Sequence, residues 1–418
     1  MDENNINLRS SATQAAPLNE ASPHYVRPDE KPLIVYLIAG EASGDFLGAH
    51  LMQSLRAQLK QNSAKKEIFF YGIGGEKMES EGLHSIFPYH ELSMMGLVEI
   101  LPYLFRTLTH IASTVADITL KQPDVVITID SPGFCFRVVE KLRKAELKSK
   151  FVHYVAPTVW AYKPQRAEKC AKLFDHMLLL LPFEPPYFTK VGLDCTFVGH
   201  PVVCESNVGD GLAFRTKYEI PDNIMLFCLL PGSREGEVKR HMPIFTRALS
   251  MLAICYPNLA LVVAVPEHAL EFLAPYLNNC PFRAIITQDE QDKKNAIAAS
   301  QFAFVKSGTV AFEVAMAGVP MLITYKMNKF SVWWLRRMII TKYANLINIL
   351  LKKEVIPELL QEHATPLMLA SCTNTLLSTP SLQYKQKTSI RNALKQLSPE
   401  DGKNPSDIAA NKILSLLS

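Results

Sequence analysis

Short, continuous apolar segments recur along this chain, and each is followed by a turn and a stretch of helical periodicity. In the first half they cover residues 33–39, 68–71, 125–129, 151–155 and 177–181. In the second half they cover residues 224–230, 259–265, 283–286, 302–305 and 321–325. A strand that is covered on both faces needs an unbroken apolar run rather than alternation, so the pattern predicts parallel sheets flanked by helices.

A break in this pattern divides the chain into two parts. Residues 198–211 contain Gly, His, Pro, Ser, Asn and Asp with little periodicity, and the strand–helix pattern restarts after them. We predict an α/β protein with two doubly wound, Rossmann-like domains facing each other across a cleft, at residues 32–204 and 205–418, the second ending in helices. Residues 1–31 are polar and lack an apolar segment, which predicts a disordered extension rather than a secretory signal.

Composition narrows the classes of function. A net charge of +4 over 418 residues does not favour a nucleic-acid-binding protein. The eight cysteines form no C-x-x-C pair and no cluster with zinc-ligand spacing, so no metal site is predicted. No run of about 18 uncharged apolar residues is present, so no membrane-spanning helix is predicted.

Three turns after predicted strands carry candidate binding residues, because ligands bind at the carboxyl ends of parallel strands. The first, residues 40–45, contains Gly40, Glu41 and Ser43. Its glycines permit close approach of a ligand, and the helix start that follows favours an anion or a polar sugar group. A tight turn capped by Ser43 or Asp45 is the structural alternative.

The second turn, residues 230–234, ends in Gly232, Ser233 and Arg234 at the start of a helical stretch. Backbone N–H groups, a hydroxyl and a guanidinium at one helix start suit a diphosphate, which an arginine can hold with two parallel hydrogen bonds. A surface arginine in a capped turn is the alternative.

The third turn, residues 306–309, offers Ser307, Gly308 and Thr309 to a phosphate. Glu313 lies one turn into the helix that follows, where its carboxylate could accept hydrogen bonds from both hydroxyls of a ribose. Taken alone, Glu313 would more often be a solvated helix residue, but two phosphate-type turns in the second domain favour the binding role.

Asp130 directly follows the apolar run at residues 125–129. A carboxylate at the end of a buried strand, facing a cleft, can have a raised pKa and act as a general base. A cap on the next helix is the alternative. His153, inside the run at residues 151–155, is predicted to be a hydrogen-bonded core histidine.

Two stretches indicate an apolar surface. Residues 97–111 place five aliphatic side chains on one helical stripe and add apolar neighbours, which is a broader apolar face than one-sided burial requires. Residues 325–343 contain five basic residues, no acidic residue and two of the three tryptophans, a combination that suits anionic lipid. A core helix or a subunit contact is the alternative for both.

In order and spacing, these motifs resemble those of the lipid-A-disaccharide synthase family from about residue 33 to beyond residue 361. In the first half the motifs are AGEASGD at 39–45, GIGG at 72–75, MGLVE at 95–99, DSP at 130–132, HYVAP at 153–157, VWA at 159–161 and LPFE at 181–184. In the second half they are LPGSR at 230–234 and SGT at 307–309, with Glu313 and Asn348.

The resemblance implies a GT-B fold and transfer of 2,3-diacylglucosamine from UDP-2,3-diacylglucosamine to 2,3-diacylglucosamine 1-phosphate, with a β-1,6 linkage formed and UDP released. It implies Asp130 as the catalytic aspartate and Arg234, Glu313 and Asn348 as contacts to UDP. It also implies an enzyme that needs no metal or other cofactor and is attached peripherally to the cytoplasmic side of the inner membrane. A second copy of the chain is a further candidate partner.

The chain departs from the family pattern at two places that bear on the fit of the acceptor. Gly133-Phe134-Cys135 replaces a common Asp-Phe-Asn step, and Tyr162-Lys163 replaces Trp-Arg. Two other functions fit part of the pattern: a UDP-N-acetylglucosamine 2-epimerase and a non-catalytic nucleotide-sugar-binding protein. The apolar stretch at 97–111 disfavours the first, and the combination of Asp130, Arg234 and Glu313 disfavours the second.

Overall fold

The computed structural model describes residues 31–62, 66–93, 100–204, 207–278, 280–328, 332, 338–399 and 402–418. Within them the chain forms two parallel β-sheets, each flanked by helices on both faces. All ten predicted strands are present, with ends that differ from the predictions by at most two residues. The predicted doubly wound α/β architecture is therefore confirmed.

The first sheet has seven strands in the order β3-β2-β1-β4-β5-β6-β7. Its strands are β1 (Leu33–Ala39), β2 (Ile68–Ile73), β3 (Leu83–Ser85), β4 (Val125–Ile129), β5 (Lys150–Tyr154), β6 (His176–Leu179) and β7 (Cys195–Phe197). The helices of this half are α1 (Ala42–Asn62), α2 (Glu76–Ser80), α3 (His90–Ser93), α4 (Ile100–Lys121), α5 (Pro132–Lys144), α6 (Arg166–Leu173) and α7 (Pro185–Thr189).

The second sheet has six strands in the order β10-β9-β8-β11-β12-β13. Its strands are β8 (Met225–Leu230), β9 (Leu259–Ala264), β10 (Arg283–Thr287), β11 (Phe302–Lys306), β12 (Met321–Tyr325) and β13 (Glu358–Leu360). The helices are α8 (Gly211–Lys217), α9 (Glu235–Leu252), α10 (Ala274–Leu277), α11 (Glu290–Ala299), α12 (Val310–Met316), α13 (Leu346–Leu351), α14 (Pro366–Ser378), α15 (Pro380–Leu397) and α16 (Pro405–Leu417). Short 3-10 helices cover Pro201–Cys204, Glu267–Phe272 and Gln361–His363.

Alternate side chains of the central strands serve the two faces of each sheet. In β1, Val35 and Leu37 pack toward α1, whereas Tyr36 and Ile38 pack toward α4 and α5. All four side chains are fully buried. This two-sided burial explains why the strand has no polar alternation. The parallel pairing of β1 with β2 and β4 places the carboxyl ends of these strands along one edge.

The last helix returns to the first half of the molecule. Ala409, Ala410 and Ile413 of α16 are buried in the cluster that contains the inner face of α1. Ser54 of α1 also donates a hydrogen bond to Asp407, at 2.7 Å. The predicted second domain, residues 205–418, thus includes a helix that packs on the first sheet, while the boundary itself stays a prediction.

The two halves meet through loops at the carboxyl ends of β5 and β6. Trp160 and Leu181, from these loops, are buried in the same apolar cluster as the inner residues of the second sheet. The backbone N–H of Ile340 donates to the carbonyl of Ala161 at 3.1 Å. The carboxyl edge of the first sheet therefore faces the second half.

Candidate functional site

Both sheets change direction of strand order at their centres, between β1 and β4 in the first and between β8 and β11 in the second. Open α/β sheets bind ligands outside the carboxyl ends of strands at such points. The first-domain turn after β1 and Asp130 after β4 lie at one of them. The turns at residues 231–234 and 307–309 lie at the other.

The turn after β1 is pressed against the turn after β4. A Cβ atom on Gly40 would lie 2.2 Å from Oγ of Ser131, which no side chain tolerates. Glycine is therefore required here for close packing of two backbone turns. Glu41, from the same turn, and Ser43, which lies in the first turn of α1, are exposed.

Asp45, at the end of this motif, has a structural role. Its buried carboxylate accepts hydrogen bonds from the backbone N–H groups of Gly75, Lys77 and Met78, at 2.8, 3.2 and 3.1 Å. It thus caps α2 from a distance rather than its own helix. This contact helps to explain Gly75, the last residue of the Gly-Ile-Gly-Gly motif, because a Cβ there would lie 2.4 Å from Tyr89 and 2.9 Å from the same carboxylate.

Asp130 lies half-buried at the carboxyl end of β4, with a left-handed backbone (φ 52°) that is shared by Ser131 (φ 44°). Its N–H donates to the carbonyl of Tyr154 at 2.9 Å, which anchors the turn to β5. Burial raises the pKa of Asp130, and a hydrogen bond from the backbone of Ser131 partly offsets this. Left-handed non-glycine residues are strained and cluster at functional sites.

Charges from both halves act on Glu41. Partial desolvation raises the pKa of Glu41, the negative charge of Asp130 raises it further, and the positive charge of Arg234 lowers it. The interaction with Arg234 crosses from the first half to the second. Two carboxylates of the first sheet and a guanidinium of the second are therefore within electrostatic reach of one another.

The turn at residues 231–234 is held by a carboxylate from α9. Gly232 has φ 112°, and the N–H of Ser233 donates to Oε2 of Glu237 at 3.2 Å. Lys306 Nζ lies 2.9 Å from the other oxygen of Glu237. Burial alone would raise the pKa of Glu237, but Lys306 and the backbone donors hold it below its usual value. Glu237 thus joins the turns that follow β8 and β11.

Arg234 is free to meet a ligand. It is exposed and forms no ion pair with an acidic residue of the described chain. Its backbone begins α9, and the first N–H groups of that helix lie beside it. The arrangement fits the diphosphate site that the sequence predicts.

The turn at residues 307–309 is open on its outer side. Among the described atoms, a Cβ added to Gly308 would have one neighbour within 4 Å, the backbone oxygen of Lys306 at 3.9 Å. Thr309 is exposed, and Ser307 Oγ donates to the carbonyl of Ala344 at 3.2 Å. A phosphate can therefore approach the backbone here, while Ser307 also fixes the neighbouring segment.

Glu313 is ion-paired rather than solvated. Its Oε2 lies 2.9 Å from Nζ of Lys293, which also pairs with Glu290 at 2.7 Å. Burial would lower the pKa of Lys293, but the two carboxylates hold it above its usual value. Lys293 fixes the orientation of Glu313 and leaves acceptor capacity on a carboxylate that has about four lone-pair sites.

Both polar atoms of the Asn348 side-chain amide form hydrogen bonds within the protein. Its Nδ2 donates to the carbonyl of Ile356 and to Oε1 of Glu358, both at 2.7 Å. Its Oδ1 accepts from the N–H groups of Val355 and Ile356, at 2.9 and 3.0 Å. The side chain is fully buried, so it shapes the segment after α13, and its contact with UDP stays a prediction.

His153 is a core residue, as the sequence predicts. It lies fully buried, 2.6 Å from Oγ1 of Thr128, with its ring stacked on Phe174. Burial lowers its pKa to about 3, so it is neutral near pH 7. It is therefore not part of the site.

Sequence reasoning missed Glu237 and Lys293 as residues that hold the site. Glu237 follows Arg234 by only three positions and could have been noticed as a carboxylate in the first turn of the same helix. Lys293 lies on α11, which comes before the motif that contains Glu313, and no local pattern connects them. Among the described residues, no three potential metal ligands cluster together.

Part of the predicted apolar surface lies outside the described residues. Residues 94–99, 329–331 and 333–337, including both tryptophans of the basic stretch, belong to this part. The described remainder of α4 exposes Phe105 and Leu108, which are 67% and 44% accessible. No helix of the described chain is long and apolar enough to cross a bilayer.

Comparisons with known proteins agree with the family resemblance. The family profile described as lipid-A-disaccharide synthetase matches residues 35–412. The lipid-A-disaccharide synthase of Rhodospirillum centenum is 43% identical over 388 residues, which are 93% of this chain and 95% of that protein. Those of Gluconobacter oxydans and Rickettsia akari are 42% and 39% identical and cover 92% and 91% of this chain, and 91% and 95% of their own.

Solved structures with the same architecture include enzymes that use nucleotide sugars. A UDP-GlcNAc 2-epimerase from Neisseria meningitidis bound to UDP-GlcNAc superposes with a TM-score of 0.61, at 12% identity, over 92% of this chain and 100% of that one. MurG of Acinetobacter baumannii gives a TM-score of 0.52 at 13% identity, over 92% and 100%. At these identities the likeness shows the fold alone, which is GT-B, so it does not favour the epimerase reaction. By its sequence relatives, the chain belongs to the lipid-A-disaccharide synthase family of glycosyltransferases.

Proposed function

We propose that this chain transfers 2,3-diacylglucosamine from UDP-2,3-diacylglucosamine to 2,3-diacylglucosamine 1-phosphate, with inversion at the anomeric carbon. The products are the β-1,6-linked disaccharide 1-phosphate and UDP. Family membership supports the formation of a lipid A disaccharide, since relatives that align with more than nine-tenths of the chain are named lipid-A-disaccharide synthases. The positions of Asp130 and Arg234 support a reaction site between the two halves of the molecule.

One observation carries the proposal: Asp130 and Arg234 follow the central strands of the two sheets, and Glu41 lies within electrostatic reach of both. A transfer between two sugars needs a base for the acceptor and a positive partner for the departing diphosphate, on opposite sides of one cleft. Asp130 comes from the first sheet and Arg234 from the second. The two groups therefore meet the requirement from opposite halves of the molecule.

In the proposed step, the acceptor's 6-oxygen attacks the donor's anomeric carbon, and its proton passes to Asp130. The bond between that carbon and the β-phosphate oxygen breaks, and UDP leaves with the bonding electron pair. Burial raises the pKa of Asp130, which makes its carboxylate a better proton acceptor than an exposed aspartate. Gly40, Glu41 and Ser43, beside it, would contact the sugar.

The second domain would hold UDP. Gly232, Ser233 and Arg234 offer backbone donors, a hydroxyl and a guanidinium to the diphosphate, as do the backbone and hydroxyls of residues 307–309. Glu313, held by Lys293, would accept hydrogen bonds from the ribose hydroxyls. These donors neutralise the developing charge on UDP, so activity is expected to persist after treatment with a chelator.

Asp130→Asn tests the role of the base. The purified protein, incubated with both acylated substrates, should release UDP and form the disaccharide. Asp130→Asn should reduce the rate on the order of a hundredfold or more, because a general base is removed. UDP binding, measured by calorimetry, should be unchanged. A near-normal rate would exclude Asp130 as the base.

Incubation with UDP-N-acetylglucosamine alone separates the alternatives. An epimerase would form the 2-epimer from this single substrate, and a binding protein would turn over neither substrate set. The proposed enzyme should produce UDP only when the acylated acceptor is present.

We further propose peripheral contact with the cytoplasmic surface of the inner membrane. The exposed Phe105 and Leu108 on α4 support it, because peripheral helices insert such side chains at the lipid interface. Replacement of both by serine should reduce sedimentation with anionic phosphatidylglycerol vesicles. Leu212→Ser, at a 74% exposed leucine in the second half, should not. Equal sedimentation of all variants with the vesicles would contradict the membrane contact.

A separate sedimentation measurement on the protein without lipid would show whether the chain forms a homodimer.

A further inference from the structure

A cavity lies between the two halves, and none of the residues assigned above to the reaction lines it. Its volume is about 880 Å³, within the range of small-molecule sites. One wall comes from the loops that follow β5 and β6, and the other comes from residues 341–352 around α13. We refer to it as the interdomain groove.

The wall on the first-domain side is apolar and well supported. Trp160, Phe183 and Tyr187 line it, with Trp160 and Phe183 packed edge to face at 5.3 Å between ring centres. Nε1 of Trp160 donates to the buried carboxylate of Glu184 at 3.1 Å, and the N–H of Leu181 donates to its other oxygen at 3.0 Å. Glu184 thus fastens the two loops together, and the wall is preformed.

The rim of the groove is basic. Lys190, Lys342 and Lys352 line it, and none of the lining residues that the structure describes is acidic. All three lysines are exposed, and none forms an ion pair with an acidic residue of the described chain. Uncompensated positive charge beside an aromatic wall complements an amphiphile that has an anionic head and an apolar chain.

The groove also lies near the candidate base. Asp130 follows β4, whereas the groove wall follows β5 and β6, the next two strands of the same sheet. Neighbouring strands are about 5 Å apart, so the ends of β5 and β6 lie about 5 and 10 Å from the end of β4. The groove wall therefore extends from the same edge of the sheet that carries Asp130.

We propose that the interdomain groove binds the acceptor substrate, an acylated sugar phosphate, with an acyl chain on the aromatic wall and the 1-phosphate among the three lysines. The inference rests on the proposed function. The acceptor is favoured over the donor because the donor's diphosphate already has a site at residues 232–234 and 307–309. The acceptor's phosphate is the remaining anion, and this groove lies on the side of the base.

The test measures binding of 2,3-diacylglucosamine 1-phosphate in detergent solution without donor. The double variant Lys190→Ala/Lys352→Ala should weaken this binding about tenfold, since each lysine–phosphate contact at an exposed rim contributes modestly. Tyr187→Ala should weaken binding of the acylated compound more than that of glucosamine 1-phosphate. Lys353→Ala, at the neighbouring exposed lysine that does not line the groove, should leave binding unchanged. In turnover, the acceptor KM should rise about tenfold, with kcat and the donor KM unchanged.

The outcomes separate this inference from the proposed function. If the wild-type protein turns over and the double variant binds the acceptor normally, the groove inference is wrong and the function stands. If the wild-type protein does not turn over but the variants weaken binding, the function is wrong and the groove is supported. A loss of sedimentation with phosphatidylglycerol vesicles without any change in acceptor affinity would assign the lysines to the membrane surface and overturn the inference.

Discussion

Gly40 and Gly133 lie on either side of Asp130 in the candidate site, and only one of them is sterically required. A Cβ on Gly40 would clash with Ser131, whereas a Cβ on Gly133 would have no atom within 4 Å. Gly40→Ala should therefore displace the turn that carries Asp130 and lower kcat by tenfold or more, because small misplacements of reacting groups are costly. Gly133→Ala should have a near-normal kcat. Similar rates in the two variants would show that the contact is not important for catalysis.

Glu184 is expected to make stability depend on pH. Burial raises its pKa from the usual 4.5 to about 7, although the donors from Trp160 and the backbone oppose the shift. The folded state thus binds this proton more tightly than the unfolded state. Its contribution to the free energy of unfolding is fully present below about pH 4.5 and is lost as pH rises to about 7, with a magnitude of about 3 kcal/mol.

Urea unfolding of the wild-type protein and Glu184→Gln, at pH 5 and pH 8, measures this contribution. The wild-type protein should lose more stability than the variant between the two pH values, since glutamine does not titrate. Other ionisable groups are common to both proteins and cancel in the comparison. An identical loss would mean that Glu184 has an ordinary pKa.

The position of an individual site residue could be predicted where the residue follows the end of one strand. Asp130 and Arg234 follow apolar runs directly, so topology alone places them at the cleft. Lys293 could not be predicted, because its ion pair with Glu313 depends on how α11 packs beside α12. For Asn348, the motif position predicts a contact with UDP, whereas in the structure its side-chain amide is bonded to residues 355–358, so the contact stays a prediction.

At the scale of elements, nine of the ten predicted strands lie inside their sheets, and the tenth, β10, is a five-residue strand at an edge. The three strands absent from the prediction are β3, β7 and β13, each three residues long and each at the edge of a sheet. A three-residue strand has too short an apolar run for periodicity to reveal it. The edges lie away from the central turns, so the missing strands do not change where the sequence predicts the site.

The link between the turns after β8 and β11 should control UDP affinity. Glu237→Ala removes the acceptor of the Ser233 N–H and the partner of Lys306, so both turns lose a fixed geometry. We expect UDP to bind about tenfold more weakly, as for loss of one partly buried hydrogen-bonded contact. Calorimetric titration with UDP measures the change.

Glu235→Ala is the matched control. Glu235 lies on the same first turn of α9 but pairs with Lys239 on the surface, so its loss should leave UDP affinity unchanged. If both substitutions weaken UDP binding equally, the effect comes from the loss of negative charge near the start of α9 and not from the link that Glu237 makes between the two turns.

At the scale of the whole molecule, two strand–helix series predict two sheets, but they do not predict where the last helix packs. The apolar stripe of α16 shows that the helix is buried on one side, not which sheet covers that side. Its return to α1 means that the first half cannot complete its core until the end of the chain is present. The two halves are therefore coupled in stability.

Ile413→Ala tests this coupling. Ile413 is fully buried against the first-sheet cluster, so removal of its side chain should lower the free energy of unfolding by about 2–4 kcal/mol. Ser415→Ala, at an exposed position of the same helix, should have little effect. Hydrogen exchange should accelerate in residues 42–62, which are more than 350 positions away in sequence, and not in β8 or β11. If exchange accelerates only in the second half, α16 does not stabilise the first sheet, and the coupling through the end of the chain is absent.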